Sequence, residues 1–263
     1  MNRMSRIIYG AAEGALRRMR GYHRHEVHGL EHVPRSGPAL LVFHHSLATY
    51  DSFLLGPVIK DHLGRQMRGV ADRQIFRTPV LGRLFTDMGF VNGTREGVLQ
   101  MLARGDLIGL APGGMRESLR SSRRKYQVDW ARRRGFVWLA VHARCPIVLA
   151  ACPRADDIFH VYDNPLTPLA YAHARVPLPL FRGRGLSPLP RPVTLHHLLS
   201  EPLYPELDPA GSSLEDTEAY IDEFHERVTE RMRQLLRDAL ALSTLPRRAP
   251  AVGGAREAVD AAA

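Results

Sequence analysis

Apolar positions in this chain form short unbroken runs, separated by stretches where they recur at helical spacing. Pro38 to Phe43, Leu107 to Leu110 and Ile147 to Ala151 are runs of strand length, the pattern of strands buried on both faces. Weaker strands are predicted at Arg68 to Ala71, Phe90 to Val91 and Val193 to Leu199, with a strand and turn at Val27 to Pro34. Helical spacing marks Asp51 to about Leu63, with Pro57 a kink or early break, and then Phe76 to Met88, Glu96 to Ala103 and Phe136 to Ala143. Leu214 to Leu242 reads as a long helix with an acidic start and a basic end, matching the helix dipole.

This alternation predicts a single-domain α/β sandwich: a mostly parallel sheet flanked by helices, between an N-terminal amphipathic helix and the long C-terminal one. The expected division is a basic helix at 1–24, one domain at 25–242 and a disordered tail at 243–263, where Ala, Gly, Pro and Arg dominate. The proline-rich stretch from Asn164 to Pro192 is expected to be an exposed loop or a membrane-facing flap. In such sheets ligands gather beyond the carboxyl ends of the strands, where His45, Arg95 and Arg116 would all fall.

Composition narrows the picture. The 263 residues suffice for one sizeable core. Cys145 and Cys152, seven positions apart in an apolar stretch, read as buried free thiols in a reducing compartment. No segment resembles a signal peptide or a spanning helix. The net charge of +9 comes almost wholly from arginine, Lys60 and Lys125 being the only lysines. That sign suits an anionic membrane face, an acidic cofactor or nucleic acid, and no nucleic-acid recognition motif accompanies it. Residues 3 to 20 place apolar side chains at helical spacing among arginines, a pattern suited either to a membrane interface or to an ordinary surface helix.

The candidate chemistry begins where the first long strand ends. His44-His45 follow Phe43 directly, and Asp51 stands six positions after His45. A histidine leaving a buried strand can deprotonate a hydroxyl, and a carboxylate opening the next helix can hold its ring in one tautomer, cap the helix, or do both. His44 competes for the role of base, but neighbours on a strand point to opposite sides. His23, His25, His28 and His32 are closely spaced, yet no Cys or carboxylate is seen to complete a zinc set, so no metal is expected.

Three further blocks follow in order: Gly89-Phe90-Val91-Asn92-Gly93-Thr94-Arg95-Glu96-Gly97, then Ala111-Pro112-Gly113-Gly114-Met115-Arg116-Glu117, then Cys145-Pro146-Ile147-Val148. Together with His45 and Asp51 they resemble the glycerolipid (lysophospholipid) acyltransferase superfamily over roughly residues 27 to 205. Five residues rather than the usual four separate His45 from Asp51, and Gly113 stands where the common motif has glutamate. The Gly-Gly-x-Arg-Glu pattern is more similar to the diacylglycerol acyltransferase type 2-like branch and its triacylglycerol-synthesising relatives, which acylate neutral acceptors.

The resemblance implies an acyl-CoA-dependent O-acyltransferase that transfers a fatty acyl group to a glycerolipid hydroxyl at the cytoplasmic face of a membrane, peripherally bound. Acyl-CoA would be co-substrate, with no cofactor, no metal and no nucleic-acid partner. His45 would be the base and Asp51 its orienter. Arg95, Gly113, Gly114, Arg116 and Glu117 would bind substrate, the arginines through forked donors and the glycine amides at the oxyanion. The alternatives are a 1-acylglycerol-3-phosphate acyltransferase and a non-catalytic lipid-binding tether. Arg120, Arg123, Arg124 and Lys125 fit a solvated face or contact with coenzyme A phosphates or anionic lipid equally well.

Overall fold

A computed structural model describes residues 3–71, 76, 82, 83, 85, 86, 89–164, 167 and 179–244. Most of the helix expected at Phe76 to Met88, much of the proline-rich stretch and the tail after residue 244 lie outside the described residues. The strands are β1 (Glu26–His28), β2 (Ala39–Phe43), β3 (Met67–Ala71), β4 (Val91–Asn92), β5 (Leu107–Leu110), β6 (Ile147–Ala151), β7 (His160–Val161), β8 (Phe181–Arg182) and β9 (His196–Leu199). The helices are α1 (Arg3–Tyr22), α2 (Tyr50–Leu63), α3 (Arg95–Ala103), α4 (Gly114–Ser118), α5 (Gly135–Ala143) and α6 (Leu214–Thr244).

Seven strands form one sheet in the order β1-β9-β6-β2-β5-β3-β4, parallel throughout except where β9 meets β6. The predicted α/β class and mostly parallel sheet are thus observed. β2 sits at the centre, and all five of its residues are buried. Its period of two splits the core. Leu40 and Val42 join Ile108, Ile147 and Leu149 against α3, α5 and α6, while Leu41 and Phe43 join Val148 and Ala150 against α2. Truncating Leu41 to alanine would cost about 2–5 kcal/mol at such a fully buried position.

Local signals set the helix ends. Thr94 caps α3 by accepting a hydrogen bond from the Gly97 N–H at 3.2 Å, and Gly64 closes α2 in the left-handed conformation at φ 67°. α2 runs on through Pro57, without the early break the sequence allowed. α6 buries one stripe, Ile221, Phe224, Val228, Met232, Leu235 and Ala239, at helical spacing. Its first turn is acidic as predicted, but no basic residue occupies its last turn, because the helix runs past the arginine-bearing segment to Thr244. α1 docks on α2 through Glu13 with Lys60 (2.9 Å) and Arg17 with Asp61, while Leu16 and Met19 pack beside Leu54. No described helix is long and apolar enough to cross a membrane. Cys145 and Cys152 are buried free thiols, as read from the sequence.

Candidate active site

The alternation along β2 carries into the two residues after it. His44 and His45 leave Phe43 toward different surroundings, and both are buried. The Nε2 of His44 receives the Arg120 guanidinium at 2.7 Å and lies 3.2 Å from the Gln127 carbonyl. Arginine can only donate, so the lone pair of this nitrogen is engaged. Burial, reinforced by the Arg120 charge, pushes the His44 pKa down to about 4. Arg120 also forks onto both oxygens of Asp156, at 2.7 and 2.8 Å. Arg120 therefore belongs to neither a solvated face nor a phosphate contact: only 4% of its side chain is exposed, and it braces the interior.

His45 is differently placed. Its Nδ1 stands 2.8 Å from the Ser46 carbonyl, which can only accept, so the proton resides on Nδ1 and the Nε2 lone pair is available as a base. Thr49 Oγ1 lies 3.4 Å from both ring nitrogens. Burial lowers the His45 pKa, partly opposed by the Ser46 carbonyl and the Asp51 charge, so the ring is neutral at physiological pH.

Asp51 neither caps α2 nor bonds the His45 ring. Thr49 holds the cap position, in a left-handed conformation at φ 53° that a threonine adopts only under constraint. Asp51 lies in the first turn, where its Oδ1 accepts the Ser46 hydroxyl and its Oδ2 faces His197 Nε2 at 3.4 Å. Burial raises its pKa, but His197 and the Ser46 hydroxyl outweigh it and hold the carboxyl below its ordinary value. It therefore acts on His45 as a buried negative charge, while the Ser46 carbonyl orients the ring.

His197 continues inward, its Nδ1 2.7 Å from His25 Nε2, and burial drives His25 down to about 2. Neither residue was among the sequence candidates for the site. The available signal was a second His-His pair, His196-His197, beside apolar Leu198-Leu199, as His44-His45 adjoin Phe43.

The Gly-Gly-x-Arg-Glu block follows β5. Glu117 is fully buried and accepts the backbone N–H of His45 (3.2 Å) and of Asp129 (3.0 Å). It is a brace for the His45 loop, not a surface that meets substrate. A Cβ on Gly113 would stand on the Glu117 carboxylate, so glycine at 113 is what lets this side chain in. Burial raises its pKa to about 7, against the pull of its N–H donors.

Gly114 takes φ +52°, and its N–H is spent on the Ala111 carbonyl at 3.2 Å, which leaves Gly113 as the candidate oxyanion amide. Arg116 is 62% exposed and pairs with Asp129 at 3.1 Å, beside the Glu117 brace. Arg95 is not brought to His45. It opens α3 beyond β4, at the edge of the sheet, and its guanidinium lies 4.9 Å from the centre of the Trp138 ring.

An apolar cleft lies between α1, α2 and β3 and reaches Ser52, the residue after Asp51 in the chain. Leu16, Phe53, Pro57, Met67 and Phe90 line it.

Residues 24–152 match the model of the Acyltransferase family. A human protein named "DGAT1/2-independent enzyme synthesizing storage lipids" is 38% identical over 127 residues, which span 48% of this chain and 39% of that protein. Its mouse counterpart is 31% identical over 226 residues, or 82% of this chain and 65% of that one. The chain thus spans less than two thirds of the length of these relatives. The crystal structure of the 1-acyl-sn-glycerophosphate acyltransferase PlsC from Thermotoga maritima superposes with a TM-score of 0.50 at 17% identity. That match covers 86% of this chain and 81% of that one and shows a shared fold. The matched segment contains the His45–Asp51 and Gly113–Glu117 blocks, and over it the chain is similar to the Acyltransferase family.

Proposed function

We propose that this protein transfers a fatty acyl group from acyl-CoA to the free hydroxyl of a neutral glycerolipid such as diacylglycerol. The carrying observation is the His45 ring, whose Nδ1–H is held by the Ser46 carbonyl so that Nε2 presents a lone pair. His45 Nε2 takes the proton of the acceptor hydroxyl as its oxygen attacks the thioester carbonyl. The tetrahedral intermediate collapses, the C–S bond breaks, and the thiolate leaves with the proton from the imidazolium. Asp51 stabilises that imidazolium through its charge. The Gly113 amide is the candidate donor to the oxyanion. The acyl chain occupies the cleft reaching Ser52, whose apolar lining suits a hydrocarbon.

Two features favour a neutral acceptor. The Arg116 charge is already countered by Asp129, and the relatives carry names for storage-lipid synthesis. Arg116 then serves the donor or the transition state, so Arg116→Ala should lower donor affinity or turnover with neutral acceptors. The test is thiol release with a panel of acyl-CoAs and acceptors, products identified by mass spectrometry. Triacylglycerol from diacylglycerol is the expected product. Turnover of lysophosphatidate with none of diacylglycerol or monoacylglycerol would overturn the acceptor and favour a 1-acylglycerol-3-phosphate acyltransferase.

Peripheral binding to the cytoplasmic face of a membrane belongs to the same proposal, supported by the arginines of α1. Flotation with vesicles should rise with anionic lipid and weaken with salt. Charge reversal at Arg3, Arg6 and Arg18 should diminish it, and unchanged flotation would remove α1 from the account.

A further inference from the structure

The register of the sheet edge brings together three metal-ligating side chains that the sequence separates. Glu26 and His28 lie two apart on β1, the edge strand, and so share a face. On β9 the parallel partner of Glu26 is His196, from which His28 is 168 positions distant in the chain. His28 Nε2 stands 3.3 Å from His196 Nδ1, and His196 Nδ1 stands 3.4 Å from Glu26 Oε2. The third side of the triangle, His28 Nε2 to Glu26 Oε2, is 3.9 Å. A cation bound at about 2.0–2.1 Å in tetrahedral geometry sets its ligand atoms roughly 3.3–3.4 Å apart. Two sides of the triangle match that spacing, and the third needs a shift of about half an ångström from a glutamate that is half exposed.

We propose that Glu26, His28 and His196 bind a divalent transition cation of the zinc type, which clips β1 to β9. Two imidazoles favour such an ion over calcium or magnesium, which prefer all-oxygen sets. The side chains of His28 and Glu26 are 40% and 50% exposed, so water can complete the coordination. β1 is a three-residue edge strand directly after α1, and a clip there fixes its register and covers part of the open edge. His196 precedes His197, and the two point to opposite faces of β9, so this site is separate from Asp51. The carboxylate missing from the histidine-rich segment is Glu26, inside that segment, and the third ligand comes from β9. A second cluster, Asp51, Cys152 and His197, also brings three donor atoms close, but all three residues are buried and Asp51 is already engaged by Ser46.

The test uses the full chain, stripped with chelator and titrated with Zn²⁺ by calorimetry, and with Co²⁺ by visible absorption. One equivalent should bind and raise the melting temperature by a few degrees. The Co²⁺ form should show d–d bands with no thiolate charge-transfer band. Glu26→Gln and, separately, His28→Gln/His196→Gln should weaken binding by at least ~10–100-fold, the loss that even outer-shell partners cause. Cys152→Ser should bind as the parent does. Binding unchanged in the Glu26 and histidine variants, a thiolate band abolished by Cys152→Ser, or no binding by the intact chain would each overturn the assignment.

Discussion

His44 is enclosed by Arg120 and Gln127, with the engaged Asp156 behind them, whereas His45 has its Nδ1 held by the Ser46 carbonyl and its Nε2 facing the Thr49 hydroxyl at 3.4 Å. The two rings are neighbours in the chain and similarly buried, yet only one retains a usable lone pair. The difference lies in partner type. A guanidinium consumes a lone pair, while a carbonyl consumes a proton and leaves the opposite nitrogen basic. Burial alone does not separate the two rings; what differs is whether a guanidinium engages the Nε2 lone pair.

Asp51→Asn probes how much of that contrast depends on charge rather than orientation. Because the Ser46 carbonyl already sets the tautomer, the loss in kcat should be about 10–10²-fold, the weight of one nearby buried charge. A loss near the ~10⁴ of a triad aspartate would mean that Asp51 contacts the ring during reaction, and thiol-release kinetics separate the two. His197→Ala should lower kcat roughly tenfold with KM unchanged, since His197 faces Asp51 and acts on the reaction only through that carboxylate. His197→Gln, which keeps a donor toward Asp51, should restore most of it. Equal losses from both variants would make His197 a packing residue.

Gly56 lines the cleft, and a Cβ there meets nothing within 4 Å. Gly56→Leu should cut use of long-chain acyl-CoA by about fivefold or more while sparing short chains, a pocket-filling effect. Uniform rates across chain lengths would move the acyl chain elsewhere.

The smallest effect is on stability. The pKa of Glu117 is raised in the folded protein to about 7 from an ordinary 4.5, so its contribution is fully present below about 4.5 and lost as pH rises through about 7. Glu117→Gln removes that slope. Its melting temperature relative to the parent should climb across that window, and the opposite slope from His44 cancels in the difference.

How much of this was legible in the sequence follows from range. β2, β5 and β6 announced themselves because burial on both faces demands continuous apolar runs, and α6 because a single stripe repeats at helical spacing. His45, Asp51 and Glu117 stood out because their blocks are local. The roles of these residues were less legible. That Ser46 rather than Asp51 orients the ring depends on the path of the loop through Thr49. That Arg120 braces the interior depends on Asp156, 36 positions away, and His197 reaches His25 across 172. Such pairings are made by strand order and register, which no local pattern carries. Arg95 was drawn toward the site by its motif, but the sheet places β4 three strands from β2.

The most direct measurement of the central claim compares acyl transfer by His45→Ala and His44→Ala, each checked for folding by circular dichroism. The assay follows thiol release from a long-chain acyl-CoA with diacylglycerol as acceptor. Loss of the base should lower the rate of His45→Ala by about 10²–10⁴-fold with its melting temperature near the parent's. His44→Ala should retain most of the rate while melting earlier, since it leaves Arg120 without one buried partner. A folded His45→Ala protein that keeps more than about a tenth of the parent rate, or a His44→Ala protein that is stable but inactive, would contradict the account.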